Sequence, residues 1–192
     1  MDRILAATGE LLEESGYDGV TTSSIAERAG VNIATLYRYF PNKFAVISAL
    51  AERFDGERAE ATEQLLQSLP FGSEWRESVA AAIDAVARQR QQQAGGDALR
   101  RALQSSPELW RIDHEMTLRV AEVLAATIRE HRPAVDQQLA DDLALVVVTS
   151  VTALLDLGSD PSVDRARIRT QLTDLIERYL APYFDAGSPA QA

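Results

Sequence analysis

Along the chain the apolar residues recur every three or four positions, and hardly anywhere every second one. Ile4, Leu5, Ala7, Leu11 and Leu12 form the first such stripe, which predicts an amphipathic helix closed by Gly16. Tyr17-Asp18-Gly19 reads as a loop. Thr22 stands as the N-cap of a short helix over 23–29, closed by Gly30, and Asn32 as the cap of a second over 33–40. Pro41 ends that helix, and Asn42 caps a long one running from Lys43 to near Ser68. After Pro70-Phe71-Gly72, helices are predicted over 73–93, over 97–105 with Asp97 as cap, from Pro107 to His131, over 136–157 and over 164–184. Gly95-Gly96 and Pro133 break the pattern, and residues 185–192 read as a disordered tail.

One run, LALVVVTSV at 143–151, is β-branched enough for a strand. No second segment could pair with it, and a lone strand leaves its backbone unsatisfied. It is read instead as a helix apolar on every side, with one face for the domain's own core and the other for a second subunit. The expected fold is therefore all-α, with about nine helices. It divides into an N-terminal domain at 1–58, with two short helices over 21–40, and a helical C-terminal domain at 59–184.

Composition narrows the chemistry. The 192 residues contain no cysteine, which excludes disulfides and thiolate metal sites. No cofactor or metal is expected, since His114 has no ligand partner nearby. No Ser-His-Asp set, paired carboxylate or glycine-rich phosphate loop stands out, so the chain does not read as an enzyme. The N-terminal stripe mixes acids among its apolar residues, unlike a secretory signal, and the run 143–155 falls short of the ~20 residues a bilayer span needs. The expected location is the cytoplasm, with no membrane partner.

A net charge of −10 argues at first against nucleic acid. Its distribution reverses that. The 24 residues from Arg28 to Ala51 hold no Asp or Glu, and carry Arg28, Arg38 and Lys43 instead. Lys43 is the chain's sole lysine. Residues 54–192 carry the acidity, with 22 acids against 14 bases.

Two short helices separated by AGVN are the helix-turn-helix arrangement. On the second, Leu36 and Phe40 face inward together, which leaves Ile33, Thr35, Tyr37, Arg38 and Tyr39 more outward. That face carries no acid and offers hydrogen-bonding groups, as a major-groove helix must. Lys43 sits in the first turn of a helix, where the macrodipole disfavours a cation unless an anion joins it. A phosphate held by free amides and the ammonium fits that position.

The segments GYDGVTTSSIAERAGV and TLYRYFPNK, with the register of the first helix, resemble the TetR family DNA-binding domain over residues 3–50. Leu12 departs from the family's frequent phenylalanine, and Phe44 from its common acid. The resemblance implies an all-helical homodimer that regulates transcription by binding a double-stranded DNA operator. It implies DNA contact by Thr22, Asn32, Ala34, Thr35, Tyr37, Arg38 and Tyr39, and a backbone contact by Lys43. It also implies a small-molecule effector. Phe71, Trp75, Trp110 and Met116 are the bulky side chains available to line that site, for a small and mostly apolar molecule. Val147, Val151, Leu154, Leu172, Ile176 and Tyr179 are the candidates for the dimer interface. The competing reading is a helical small-molecule carrier that has lost operator binding.

Overall fold

The computed structural model of the chain describes residues 1–92, 95–105, 107–157 and 162–185. Nine helices and no strand occupy the described residues: α1 (Asp2–Gly19), α2 (Thr22–Ala29), α3 (Ile33–Tyr39), α4 (Lys43–Ser68), α5 (Trp75–Gln92), α6 (Gly96–Leu103), α7 (Pro107–His131), α8 (Gln137–Leu157) and α9 (Arg165–Phe184). Of the expected tail, 186–192 lies outside the described residues, as does Gln93 at the end of the helix expected over 73–93.

Three local expectations are corrected. Helix α2 is capped by Thr21, not Thr22: Thr21 Oγ1 accepts from Ser24 N, and Ser24 Oγ accepts from Thr21 N, each at 3.0 Å. This reciprocal box satisfies two amides at once, so it wins over a single threonine cap. Helix α6 begins after Gly95, with Asp97 inside its first turn. Gly95 has φ +79, and a Cβ there would stand 3.4 Å from Gly9 Cα on α1. Its amide donates to the Glu13 carboxylate of α1, so a distant acid takes the place of the local cap. Asp185, expected in the tail, is the C-cap of α9 and holds Arg76 and Trp75 of α5: Arg76 Nη2 donates to its Oδ2 at 2.6 Å, and Trp75 Nε1 to its Oδ1 at 3.1 Å. Gly16 behaves as expected in part. Its φ of +65 kinks α1, yet one more helical turn follows to Gly19.

The chain forms two compact units, 1–58 with 90–116, and 59–89 with 117–192. Residues 90–116 were expected with the C-terminal half. They join the N-terminal helices because α6 packs along α1, placing Ala98, Leu99, Ala102 and Leu103 in one core with Leu5, Leu12, Ile25, Leu36 and Ile47. The second unit has its own core, in which Leu143, Ala144, Val147 and Val148 of α8 meet Leu172, Ile176 and Leu180 of α9. By length and composition alone α8 could cross a membrane. Its buried face is spent on α9 and the unit's core.

Candidate nucleic-acid interface

The site is built on α2 and α3. Gly30 takes the left-handed conformation, φ +61 and ψ 40, that turns the chain between them. Arg3 of α1 reaches the last carbonyls of α2, donating to Ala29 O and, at 3.3 Å, to Gly30 O. A guanidinium at a helix C-terminus satisfies orphan acceptors and opposes the negative end of the dipole. Sequence reading missed this tie because its partners lie 26 and 27 residues apart and no periodicity links them.

Helix α3 is anchored on one side only. Leu36 is fully buried and Phe40 nearly so. Asn32 caps the helix, its Oδ1 accepting from Ala34 N at 2.8 Å. The outward face carries Asn32, Ile33, Ala34, Tyr37, Arg38 and Tyr39, all exposed, with Thr35 half-buried beside them. Tyr37 is 51% and Tyr39 48% exposed, a large aromatic area for a helix with a single buried side chain.

These side chains are partly ordered before any partner arrives. Thr22, released from capping, shares a 3.0 Å hydrogen bond with the Tyr37 hydroxyl and so ties α2 to α3. Arg38 Nη2 donates to the Tyr39 hydroxyl at 3.1 Å and lies 5.2 Å from that ring's centre. Lys43 Nζ donates to Tyr17 O at 2.9 Å and stands 4.1 Å over the Tyr17 ring. An ammonium has three donors, so two stay available at the start of α4.

The acid-free window is less cationic than its composition suggests. Arg28 turns to α1, where it pairs with Glu14 at 2.6 Å and Glu10 at 3.2 Å. The hydrogen bond from Arg28 holds the Glu14 carboxyl below its usual range, and both glutamates hold Arg28 above its own. The uncompensated cations at this face are Arg38 and Lys43.

The four side chains expected to line an effector site are not gathered together. Phe71 and Trp75 are buried in the second unit, where Phe71 meets the His131 ring at 5.5 Å and Trp75 the Phe184 ring at 5.2 Å. Trp110 is 54% exposed and stacks on His114. Met116 is buried in the first unit, at the wall of a small cavity shared with Arg58, Arg90 and Arg100. Among the residues expected at a subunit interface, Leu172 and Ile176 face their own unit's core completely and Val147 nearly so, while Val151, Leu154 and Tyr179 are half-buried. The exposed large apolar side chains of α8 and α9 are Leu145, Val146, Leu157 and Leu175.

Residues 4–50 match the family described as bacterial regulatory proteins, tetR family. Residues 74–180, more than half of the chain, match the tetracyclin repressor-like C-terminal domain. The HTH-type transcriptional repressor KstR of Rhodococcus jostii is 50% identical over 54 residues, which are 28% of this chain and 26% of that protein. The match therefore spans well under two thirds of that relative's length. A TetR-family transcriptional regulator from Streptomyces coelicolor superposes with a TM-score of 0.71 at 28% identity, over 95% of this chain and 98% of the other. The regulator FadR from Bacillus subtilis, solved in complex with stearoyl-CoA, superposes with a TM-score of 0.70 at 22% identity, over 91% and 96%. That last likeness is one of fold alone.

Proposed function

The chain belongs to the TetR family of bacterial regulatory proteins, whose members are DNA-binding regulators rather than enzymes, and on that premise we propose that it is a repressor which grips a palindromic operator as a homodimer and is released by a small effector. One observation carries the DNA reading. Helix α3 buries Leu36 and turns an acid-free face of Asn32, Ala34, Thr35, Tyr37, Arg38 and Tyr39 outward, in a chain whose net charge is −10. Such a face offers hydrogen-bonding and apolar groups to base edges without repelling phosphate.

Each candidate then has a role. Arg38 and Asn32 face base edges. Tyr37, oriented by Thr22, and Tyr39, oriented by Arg38, reach backbone or base. Ala34 and Thr35 allow close approach and meet thymine methyls. Lys43 holds a phosphate at the start of α4. One such head reads few base pairs, so two must act on half-sites related by a two-fold axis. The exposed apolar side chains of α8 and α9 supply the surface for pairing. The effector reading rests on membership of the family, and the place of action is the cytoplasm, where the chromosome lies.

Selection of bound duplexes from random DNA, using the full chain, tests this reading. An inverted repeat with half-site centres about one helical turn, ~34 Å, apart is expected. Enrichment no greater than that of an Arg38→Ala, Tyr37→Ala variant would leave the carrier reading in its place.

A further inference from the structure

Lys43 opens α4, and a cation in the first turn of a helix faces the positive end of the dipole. Two contacts to one residue hold it there. Its Nζ donates to Tyr17 O at 2.9 Å and stands 4.1 Å from the centre of the Tyr17 ring. Tyr17 lies in the last turn of α1, where carbonyls lack helical partners and a cation is favoured. The same oxygen accepts from Val20 N at 3.3 Å, the bond that closes α1. The ammonium therefore sits between the start of one helix and the end of another, with the negative face of an aromatic ring beside it.

A backbone kink precedes both contacts. Gly16 takes φ +65 and ψ −178, and the direction of α1 changes there. A Cβ at Gly16 would meet nothing within 4 Å, so the glycine serves the left-handed backbone and not a close approach. Beyond the kink, Tyr17 is half-buried and packed against the core of the N-terminal unit. Packing limits the rotamers of the ring, and the ring and carbonyl together limit those of the lysine. An ammonium has three donors. One goes to Tyr17 O, and the others remain for phosphate oxygens.

We propose that Tyr17 is a positioning residue for DNA binding: it holds the Lys43 ammonium where a backbone phosphate arrives and leaves free the donors that the phosphate takes. This rests on the repressor reading, in which Lys43 is the phosphate contact, and adds the residue that sets its geometry. A long, flexible side chain loses rotamer freedom when it closes on a phosphate. Here much of that freedom is lost on folding. Removing the ring should therefore weaken operator binding about two- to tenfold, the cost of ordering one such side chain at an interface. The loss should appear only while Lys43 is present.

The test is a double-mutant cycle on the full chain with a duplex selected from random DNA. Tyr17→Leu should weaken binding in the wild-type background and have no effect beside Lys43→Ala. Tyr17→Phe, which keeps ring and carbonyl, should restore the affinity. Equal losses in both backgrounds overturn the proposal, because a tyrosine that merely supports α1 acts whether or not the lysine is there. No loss in either background overturns it too. If Tyr17→Leu lowers the helical circular dichroism, a polyfluorinated phenylalanine at position 17 takes its place. That ring keeps the shape and loses the negative face, and it should show the same coupling. A second readout needs no DNA. Lysine labelled with ¹³C gives a single ε-methylene signal, because the chain holds one lysine. The ring should move that signal upfield of a free lysine's, and Tyr17→Leu should return it. A wild-type signal already at the free position overturns the hold itself. An upfield signal beside uncoupled variants leaves the hold standing and overturns its role on DNA. Failure of the wild type to bind any selected duplex marks failure of the repressor reading, whatever the lysine signal shows.

Discussion

Adjacent threonines in this chain do different work, and only the structure tells them apart. Thr21 caps α2, while the hydroxyl of Thr22 is tied to Tyr37. Thr21→Val should therefore lower stability by about 1 kcal/mol, the usual cost of a lost cap. Thr22→Val should leave the melting temperature nearly unchanged and weaken operator binding several-fold, because Tyr37 loses its orientation. Denaturation and DNA titration of the two variants check this, and a reversed pattern would restore Thr22 as the cap. The sequence offered two good cap residues in a row, and capping propensity cannot choose between neighbours. Lys43 makes a second case. Lys43→Ala should weaken binding to every DNA sequence about equally and lower the slope of log K against log salt by ~0.9, one phosphate's share. An unchanged slope removes the phosphate assignment. Asn32 was legible as a cap because that role depends on a helix end. Arg3 and Arg28 were not, since their partners are set by how α1 crosses α2.

Helices were the easiest level to read, because periodicity and the punctuation of Gly30, Pro41 and Pro107 speak about one element at a time. Which face of a helix meets which neighbour needs the packed chain. The all-apolar character of α8 was visible, but Val147, Leu172 and Ile176 prove to be the seam between α8 and α9 rather than a surface for a partner. The proposed dimer therefore rests on Leu145, Val146, Leu157 and Leu175. Leu175→Glu should dissociate it with little loss of helical content. Leu172→Ala should instead destabilise the fold by about 2–5 kcal/mol, as removal of a fully buried leucine does. Sedimentation and thermal unfolding separate the two, and a dimer that survives Leu175→Glu points to another interface. The junction of α1 and α2 carries a pH dependence of known sign. Arg28 depresses the folded-state pKa of Glu14. The stability this contributes is present at neutral pH, above the ordinary range of a glutamate, and is lost as pH falls through the lowered folded value. Wild type and Glu14→Gln should thus differ in melting temperature at pH 7 and converge in strong acid. A constant gap would show that the pair contributes nothing by charge.

Taken whole, the molecule is an acidic body with one face shaped for a polyanion. Its 29 acids are kept off the stretch from Arg28 to Ala51, and Arg28 pairs with two of those nearest by contact, Glu10 and Glu14, offsetting one of their two charges. On the proposed reading, this distribution lets an anionic protein approach DNA in one orientation and repels the others. The capture of 90–116 by the N-terminal unit was not legible. It depends on a backbone approach between Gly9 and Gly95 that neither glycine announces. The solitary lysine has a practical consequence beyond phosphate binding. Apart from the α-amino group, an amine-selective acylating reagent meets one target in the entire molecule, at the point where α4 begins. That target is half-buried and laid over the Tyr17 ring. Acylation at Lys43, followed by mass spectrometry, should be slow in the free protein and slower still on operator DNA. Equal rates with and without DNA would place this amine off the duplex. The chain thus carries its own footprinting probe, whose covalent mark records how long the reading head stayed bound.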